Sequence, residues 1–347
     1  MNKKTIGILT EHNTINYGSF LQCYALQKIL SKNFNTKIIN YKKFKIVIKE
    51  LFDLLRNKNF FNELKKIHSF KKLQKKFFNY HPKNLKNSIT NSTLKDVDCI
   101  IIGSDEMWNY QNPYRGYNEY YFGNFKKKDL KIISYATSFG VVNDLKLKKD
   151  RIINLLNNFS LISVRDSHSL RLISDLKQNK YLILDPTYIT DFPTDKDINL
   201  EENYVFIYGF FEKEYKKVIK EYCESQNLYT ICCQPSNADW CNKYIPLNPF
   251  EWVTIIKKSK INFISSFHGT IFSIKYRKKF IYFPEYWSNN KVNPTLDLMG
   301  LRSCNFKNVG EINNNNLNNI YNENFVKNEK KLLEDTYLFI KRIENLL

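Results

Sequence analysis

The stretch Ser265-Ser266-Phe267-His268-Gly269-Thr270-Ile271-Phe272-Ser273 gathers residue types that suit an anion. It follows Ile261-Asn262-Phe263-Ile264, an apolar run that reads as a buried strand, and it precedes Phe272, Ile274 and Tyr276, spaced to start a helix. A polar turn between a strand's carboxyl end and a helix's amino end is where open α/β sheets bind ligands. The helix start offers N–H groups and a positive dipole end, which suit phosphate or carboxylate. Gly269 would let the backbone approach the anion, Thr270 would add an amide, Ser266 a hydroxyl, and His268 a titratable donor. A structural histidine beside an ordinary N-cap is the competing reading.

Other polar clusters follow apolar runs in the same way. Asn13 to Gln22 reads N-T-I-N-Y-G-S-F-L-Q, in which Asn16, Gly18 and Ser19 open a helix as an anion cradle or as a plain cap. Ile102-Gly103-Ser104-Asp105-Glu106 follows the most apolar strand and brings two carboxylates to a tight turn. Ser134 to Gly140 reads S-Y-A-T-S-F-G, and Ser163-Val164-Arg165-Asp166-Ser167 puts a guanidinium directly after a buried run. The planar fork of Arg165 suits a carboxylate or phosphate; a structural ion pair with Asp166 or Asp185 is the alternative. Asp185-Pro186-Thr187 closes this half of the chain.

These clusters need a scaffold that aligns strand ends. Apolar runs at residues 5–10, 37–41, 98–103, 131–136, 160–164 and 181–185 alternate with helical patterns, which predicts a parallel, doubly wound sheet. The chain turns polar around residues 190–203 and then repeats the alternation, with strands at 204–208, 229–233, 261–265 and 280–283. The expected architecture is α/β: two Rossmann-like domains facing across a cleft, residues 1–195 and 196–347. The second carries the long C-terminal helix, and the cleft is the expected ligand site.

The 347 residues, 43% hydrophobic and 15% aromatic, describe a folded chain. The apolar run Ile6 to Leu9 is too short for a signal-peptide core, and none spans a bilayer, so residence in the cytoplasm is expected. Seven cysteines without a C-x-x-C pair are expected to be free thiols, and five histidines without ligand spacing predict no metal site. The net charge is +20, and residues 41–87 alone hold thirteen Lys and one Arg against three acids. Phe60, Leu64, Ile67, Phe70, Leu73 and Phe77 have helical spacing there, so a basic helical insertion is expected over about 42–87. It is either a solvated face or a peripheral contact with an anionic membrane at the inner face of the cytoplasmic membrane. Nucleic acid is not expected, because the aromatics sit at core spacing rather than as a stacking platform.

Taken in order, N-Y-G-S-F-L-Q-x-Y-A-L-Q, I-I-G-S-D-E-M-W-N, S-Y-A-T-S-F-G, S-V-R-D-S, L-D-P-T and S-F-H-G-T-x-F-S resemble the polysaccharide pyruvyl transferase family over roughly residues 6–301. The resemblance implies a GT-B type fold and transfer of pyruvate from phosphoenolpyruvate, a co-substrate, onto a glycan or lipid-linked oligosaccharide as a ketal, with no cofactor. It implies His268, Asp105 and Arg165 as catalytic residues: Arg165 on the donor's carboxylate or phosphate, His268 as phosphate ligand or acid, and Asp105 as base with Glu106 second. Asn16, Gly18, Ser19, Ser104, Ser266, Gly269 and Thr270 would line the substrates. The family's usual Gln after Gly-Ser-Asp is Glu106 here, and Lys291 stands for a basic residue the family often places before the last short helix. A GT-B glycosyltransferase using a nucleotide sugar, or a non-catalytic membrane-associated member, would share the architecture.

Overall fold

The structure is a computed structural model that describes residues 3–55, 60–194, 198, 200, 203–306 and 317–347, with the backbone alone at 53–55. Its contacts divide into two units: Met1–Phe60, His68–Thr190 and Lys331–Leu347, and Phe61–Ile67 with Asp191–Lys330.

The first unit carries β1 (Thr5–Leu9), β2 (Asn35–Tyr41), β3 (Tyr80–Lys86), β4 (Cys99–Gly103), β5 (Lys131–Thr137), β6 (Leu161–Val164) and β7 (Lys180–Leu182). They form one parallel sheet in the order β3-β2-β1-β4-β5-β6-β7. β4 is buried at every position, as a strand covered on both faces must be, which explains its unbroken Cys-Ile-Ile-Ile-Gly run. Strand order reverses between β1 and β4, so the loops leaving these two strands diverge and open a crevice at their carboxyl ends.

The first unit also holds α1 (Tyr17–Leu30), α2 (Phe44–Leu55), α4 (Lys149–Leu156), α5 (Ser167–Leu172) and α6 (Pro186–Ile189), while α3 (Phe60–Phe77) is divided, its Phe61–Ile67 falling in the second unit. The second unit has β8 (Tyr204–Tyr208), β9 (Tyr229–Cys232), β10 (Lys243–Tyr244), β11 (Ile261–Ile264) and β12 (Lys279–Tyr282) in a parallel sheet ordered β10-β9-β8-β11-β12. Its helices are α7 (Lys213–Ser225), α8 (Pro249–Lys258), α9 (Phe267–Lys275) and α10 (Asn289–Met299), and α11 (Glu323–Leu346) ends the chain. Strand order here reverses between β8 and β11. The fold is α/β, two Rossmann-like units of the GT-B type.

The boundary expected between residues 195 and 196 lies outside the described residues, and packing divides the chain between Thr190 and Asp191. Three expectations change. The C-terminal helix does not stay wholly with the second domain. Residues from Lys331 pack with the first unit, where Thr336 Oγ1 accepts from Leu184 N–H at 3.0 Å and Phe339 meets Tyr135 and Tyr181. The basic insertion is helical only to Phe77, and its last part is β3, an edge strand whose Lys83 and Lys86 suit an unpaired edge. Part of its α3 stripe turns inward, though Leu64 stays exposed: Phe70 is fully buried against Tyr17 and Phe20, and Phe77 meets Tyr24. Finally, the last short helix, α10, begins at Asn289, so Lys291 lies in its first turn rather than before it. Most of the Asn-rich run 313–319 lies outside the described residues.

Candidate functional site

In the first unit the loops after β1, β4, β5 and β6 converge on Asp105. Asn16, not Ser19, caps α1, accepting from Ser19 N–H at 3.0 Å with its side chain. Gly18 and Ser19 therefore sit in the first helical turn, and Ser19 Oγ donates to Asp105 Oδ2 at 2.8 Å. Asp105 Oδ1 accepts from the Glu106 amide at 2.8 Å and, more distantly at 3.5 Å, from Arg165 Nη2. The Asp105 carbonyl accepts from Ser138 N–H at 3.2 Å. Ser138 is delivered by an irregularity in β5, where register shifts between Ser134 and Thr137 and Ala136 takes φ of 50°. A bulge of this kind re-aims a strand end and is common beside functional sites.

Arg165 is almost fully enclosed, with 1% of its side chain exposed. Nη1 donates to Asp185 Oδ2 at 2.8 Å and to the Ser104 carbonyl at 2.7 Å. Asp185 is also enclosed and caps α6 by accepting from the Thr187 amide at 3.0 Å. Burial alone would lower the guanidinium's pKa, but Asp185, Asp105 and Asp166 together raise it above its ordinary value. The fork is thus met by carboxylates and a carbonyl of the protein's own, as in the structural ion-pair alternative.

Several parts of this cluster had no place in the sequence reading. Gln22, inside α1, accepts from Ser104 N–H at 3.1 Å and donates to Thr10 Oγ1 and the Ser19 and Glu11 carbonyls. Arg115 pairs with Glu11 at 2.8 Å and donates to the Glu106 carbonyl at 2.8 Å. Burial lowers the Arg115 pKa, and Glu11, Asp105 and Glu106 more than offset this. The motif carrying Gln22 was the available signal; Arg115, in an irregular loop, gave none. Glu106 Oε2 accepts from Asn109 Nδ2 at 2.6 Å, a bond that a Gln carbonyl oxygen would make equally. A Cβ on Gly140 would come within 2.4 Å of that oxygen, and Gly140 has φ of 60°, so glycine is required there twice over. The cluster holds five acids, Glu11, Asp105, Glu106, Asp166 and Asp185, against two arginines.

The second unit builds its own switch point. Gly209, after β8, has φ of 129°, and a Cβ there would lie 2.0 Å from Ser265 Oγ; its carbonyl accepts from Asn237 Nδ2 at 2.9 Å. Ser265 Oγ donates to the Phe210 carbonyl at 2.7 Å. The helix begins earlier than its apolar spacing suggests: Ser266 caps α9, so His268, Gly269 and Thr270 lie inside its first turn rather than in a turn before it. This places the two amides expected at the anion within the helix cap. Gly269 N–H donates to Ser266 Oγ at 3.3 Å and Thr270 N–H to the Ser266 carbonyl at 3.1 Å, so both amides are engaged within the cap. Gly269 is small because α9 lies against β11: a Cβ would meet Ile264 Cγ2 at 2.6 Å. His268 remains half-buried at the helix start, edge-on to Phe267. Lys291 is buried in the first turn of α10, after β12.

The first set therefore unites Asn16, Gly18, Ser19, Ser104, Asp105, Glu106 and Arg165, and the second places Ser266, His268, Gly269 and Thr270 on one helix start, with Lys291 on the next. No group of three or more potential metal-ligating side chains occurs among the described residues.

The polysaccharide pyruvyl transferase model matches residues 16–285, which include every one of these positions except Lys291. The chain belongs to the polysaccharide pyruvyl transferase family. Membership makes it a transferase of polysaccharide biosynthesis. No curated protein sequence matches it. Among solved structures it is similar to the S. aureus MnaA-UDP co-structure, at 10% identity and TM-score 0.55 over 99% of this chain and 98% of that one. It is also similar to UDP-GlcNAc 2-epimerase from Methanocaldococcus jannaschii, at 11% identity and TM-score 0.49 over 94% and 92%. Identities this low concern the fold alone, which for this family member is the GT-B type.

Proposed function

We propose that this family member moves the pyruvyl group of phosphoenolpyruvate onto a sugar of a surface polysaccharide or its lipid-linked precursor in the cytoplasm. The product is a cyclic ketal, and phosphate is released. The observation that carries the reading is the setting of Asp105, a carboxylate oriented by Ser19, the Glu106 amide and Arg165 at a sheet's switch point. An acid-rich cluster suits removal of protons from sugar hydroxyls and repels a donor bearing phosphate and carboxylate.

Asp105 is accordingly the base for the acceptor, with Glu106 second and Asn16, Gly18 and Ser19 beside it. Arg165 becomes a positioning residue for Asp105 rather than the donor's clamp. The groups that suit the donor are Ser266 and His268 at the positive end of α9, and Lys291 on α10. Ser104 braces Arg165 through its carbonyl, and Gly269 and Thr270 shape the helix start.

The chemistry balances as follows. A proton reaches the donor's methylene carbon, which makes C2 electrophilic. One sugar hydroxyl adds to C2, a second replaces phosphate, and the ring closes. Of the two hydroxyl protons, one ends on the new methyl group and the other on the released phosphate. His268 serves the donor as phosphate ligand or as the acid. His268→Gln keeps a hydrogen-bond donor but cannot relay the proton, so lost turnover with an unchanged KM for phosphoenolpyruvate identifies the acid, and a raised KM the ligand.

The test of the activity is phosphate release from phosphoenolpyruvate with candidate glycans, followed by mass analysis of the glycan for the pyruvyl increment. Phosphate release with Asp105→Asn equal to the wild type would remove Asp105 from its role. Transfer of sugar from a nucleotide sugar, with phosphoenolpyruvate left intact, would replace the reading by glycosyl transfer.

A further inference from the structure

The basic segment after β2 carries an apolar surface at a place the helical spacing of α3 does not indicate. Along α2, Phe44, Val47, Ile48, Leu51 and Phe52 follow the i, i+3, i+4, i+7, i+8 pattern of a single helical face. They are 55%, 37%, 55%, 56% and 57% exposed, whereas Ile46 on the opposite side is 7% exposed. A row of large apolar side chains on one exposed face marks a contact surface.

The helix is held with this face outward. The Phe44 amide donates to Asn87 Oδ1 at 2.9 Å, which fixes the first turn. On the inner side the buried Lys42 pairs with Glu50 of α2 at 2.6 Å and donates to the Asn13 carbonyl at 2.6 Å. That carbonyl belongs to the loop entering α1, so α2 is tied to the segment that presents Asn16 and Ser19. The flanks of the apolar row are cationic, with Lys43 on one side and Lys45 and Lys49 on the other; Lys49 lies 4.0 Å over the Tyr114 ring. No helix among the described residues is long and apolar enough to cross a membrane.

We propose that α2 is a membrane-docking helix that lies in the plane of an anionic bilayer, its apolar row among the acyl chains and its lysines on the headgroups. Charge decides between this occupant and a second copy of the chain. Residues 41–87 carry thirteen Lys and one Arg against three acids, so two copies meeting here would bring like charges together, whereas anionic lipid complements them. Docking goes beyond the catalytic reading and does not depend on it.

The full chain is sedimented with vesicles of phosphatidylglycerol and phosphatidylcholine, and with phosphatidylcholine alone. The wild type should bind the anionic vesicles, less as salt rises. Ile48→Gln/Leu51→Gln/Phe52→Gln changes only exposed positions, should keep its circular dichroism spectrum, and should bind at least about tenfold more weakly. Lys45→Glu/Lys49→Glu should lose the preference for anionic lipid while keeping the apolar row. Equal binding by the triple variant, or no binding of the wild type to either vesicle, overturns the proposal. So does a wild-type dimer that the triple variant converts to monomer, or binding to a DNA duplex in place of vesicles.

Discussion

Replacing Arg165 by methionine separates a donor clamp from a support of Asp105. The guanidinium and the Asp185 carboxylate are 1% and 0% exposed, and they meet at 2.8 Å. Removing the cation leaves Asp185 buried without its counter-charge, which costs about 3–5 kcal/mol of stability. Urea unfolding of Arg165→Met should show that loss. Adding Asp185→Asn removes the stranded charge while its Oδ1 still caps Thr187, so the double variant should recover about 2–3 kcal/mol. Turnover should not recover with it, because Asp105 still lacks the cation at 3.5 Å. Both variants should therefore show kcat lowered by about 10- to 100-fold, with KM for phosphoenolpyruvate within about twofold. A KM raised tenfold or more at unchanged kcat would instead mark a group that binds the donor in ground and transition states alike and would refute the positioning role. Unfolding of Arg165→Met like that of the wild type would refute the buried pair.

Ser19→Ala removes the hydroxyl that reaches Asp105 at 2.8 Å, worth about 1 kcal/mol, so phosphate release should fall about fivefold with little change in melting temperature. An unaffected rate would mean that Ser19 does not orient the base. Gly269→Ala should destabilise the second unit by about 1–3 kcal/mol in urea unfolding, because its Cβ would press on Ile264 at 2.6 Å and Ser266 Oγ at 2.8 Å. An unchanged midpoint would show that α9 moves off β11 freely. Asp98 accepts from the Thr5 amide at 2.8 Å, and that bond, more than Lys4 nearby, holds its pKa below the usual carboxylate value. A depressed folded pKa contributes stability above the unfolded value, near 3.8, and loses it as pH falls toward the folded value. Asp98→Asn should thus be slightly less stable than the wild type at pH 6, and the gap should close below pH of about 3.8. A gap constant from pH 6 to pH 3 would remove this linkage.

The two sheets were legible in the sequence because parallel strands buried on both faces leave unbroken apolar runs, such as Cys99 to Ile102 and Tyr204 to Tyr208. β3 was not legible: Tyr-His-Pro-Lys-Asn-Leu-Lys is an edge strand paired to β2, and an edge needs neither alternation nor apolarity. The start of α9 lies earlier than apolar spacing implies because its first turn is polar, and capping by Ser266 outweighs that spacing. Arg165 illustrates a different limit. Its position after a buried strand was plain and Asp166 and Asp185 were both open to it, but the choice of Asp185, twenty residues on, depends on how β6 and the start of α6 approach. Pairing at that range is set by topology, which local pattern does not encode.

Five motifs scattered from Asn16 to Thr187 attend to one carboxylate. The first supplies Ser19 and Gln22, the second Ser104 and Asp105 itself, the third the Ser138 amide that fixes the Asp105 carbonyl, the fourth Arg165, and the fifth Asp185 that holds Arg165. Read singly, each looks like an anion cradle or a cap. Assembled, most of their donors are spent inside the protein, so they cannot also be binding a triply charged donor. On the proposed reading the donor meets the sixth motif, on α9, for its positive helix end and titratable side chain, with Lys291 as the cation on the following helix. What the hydrogen bonds of the first unit order is a base, Asp105, held by groups from separate loops.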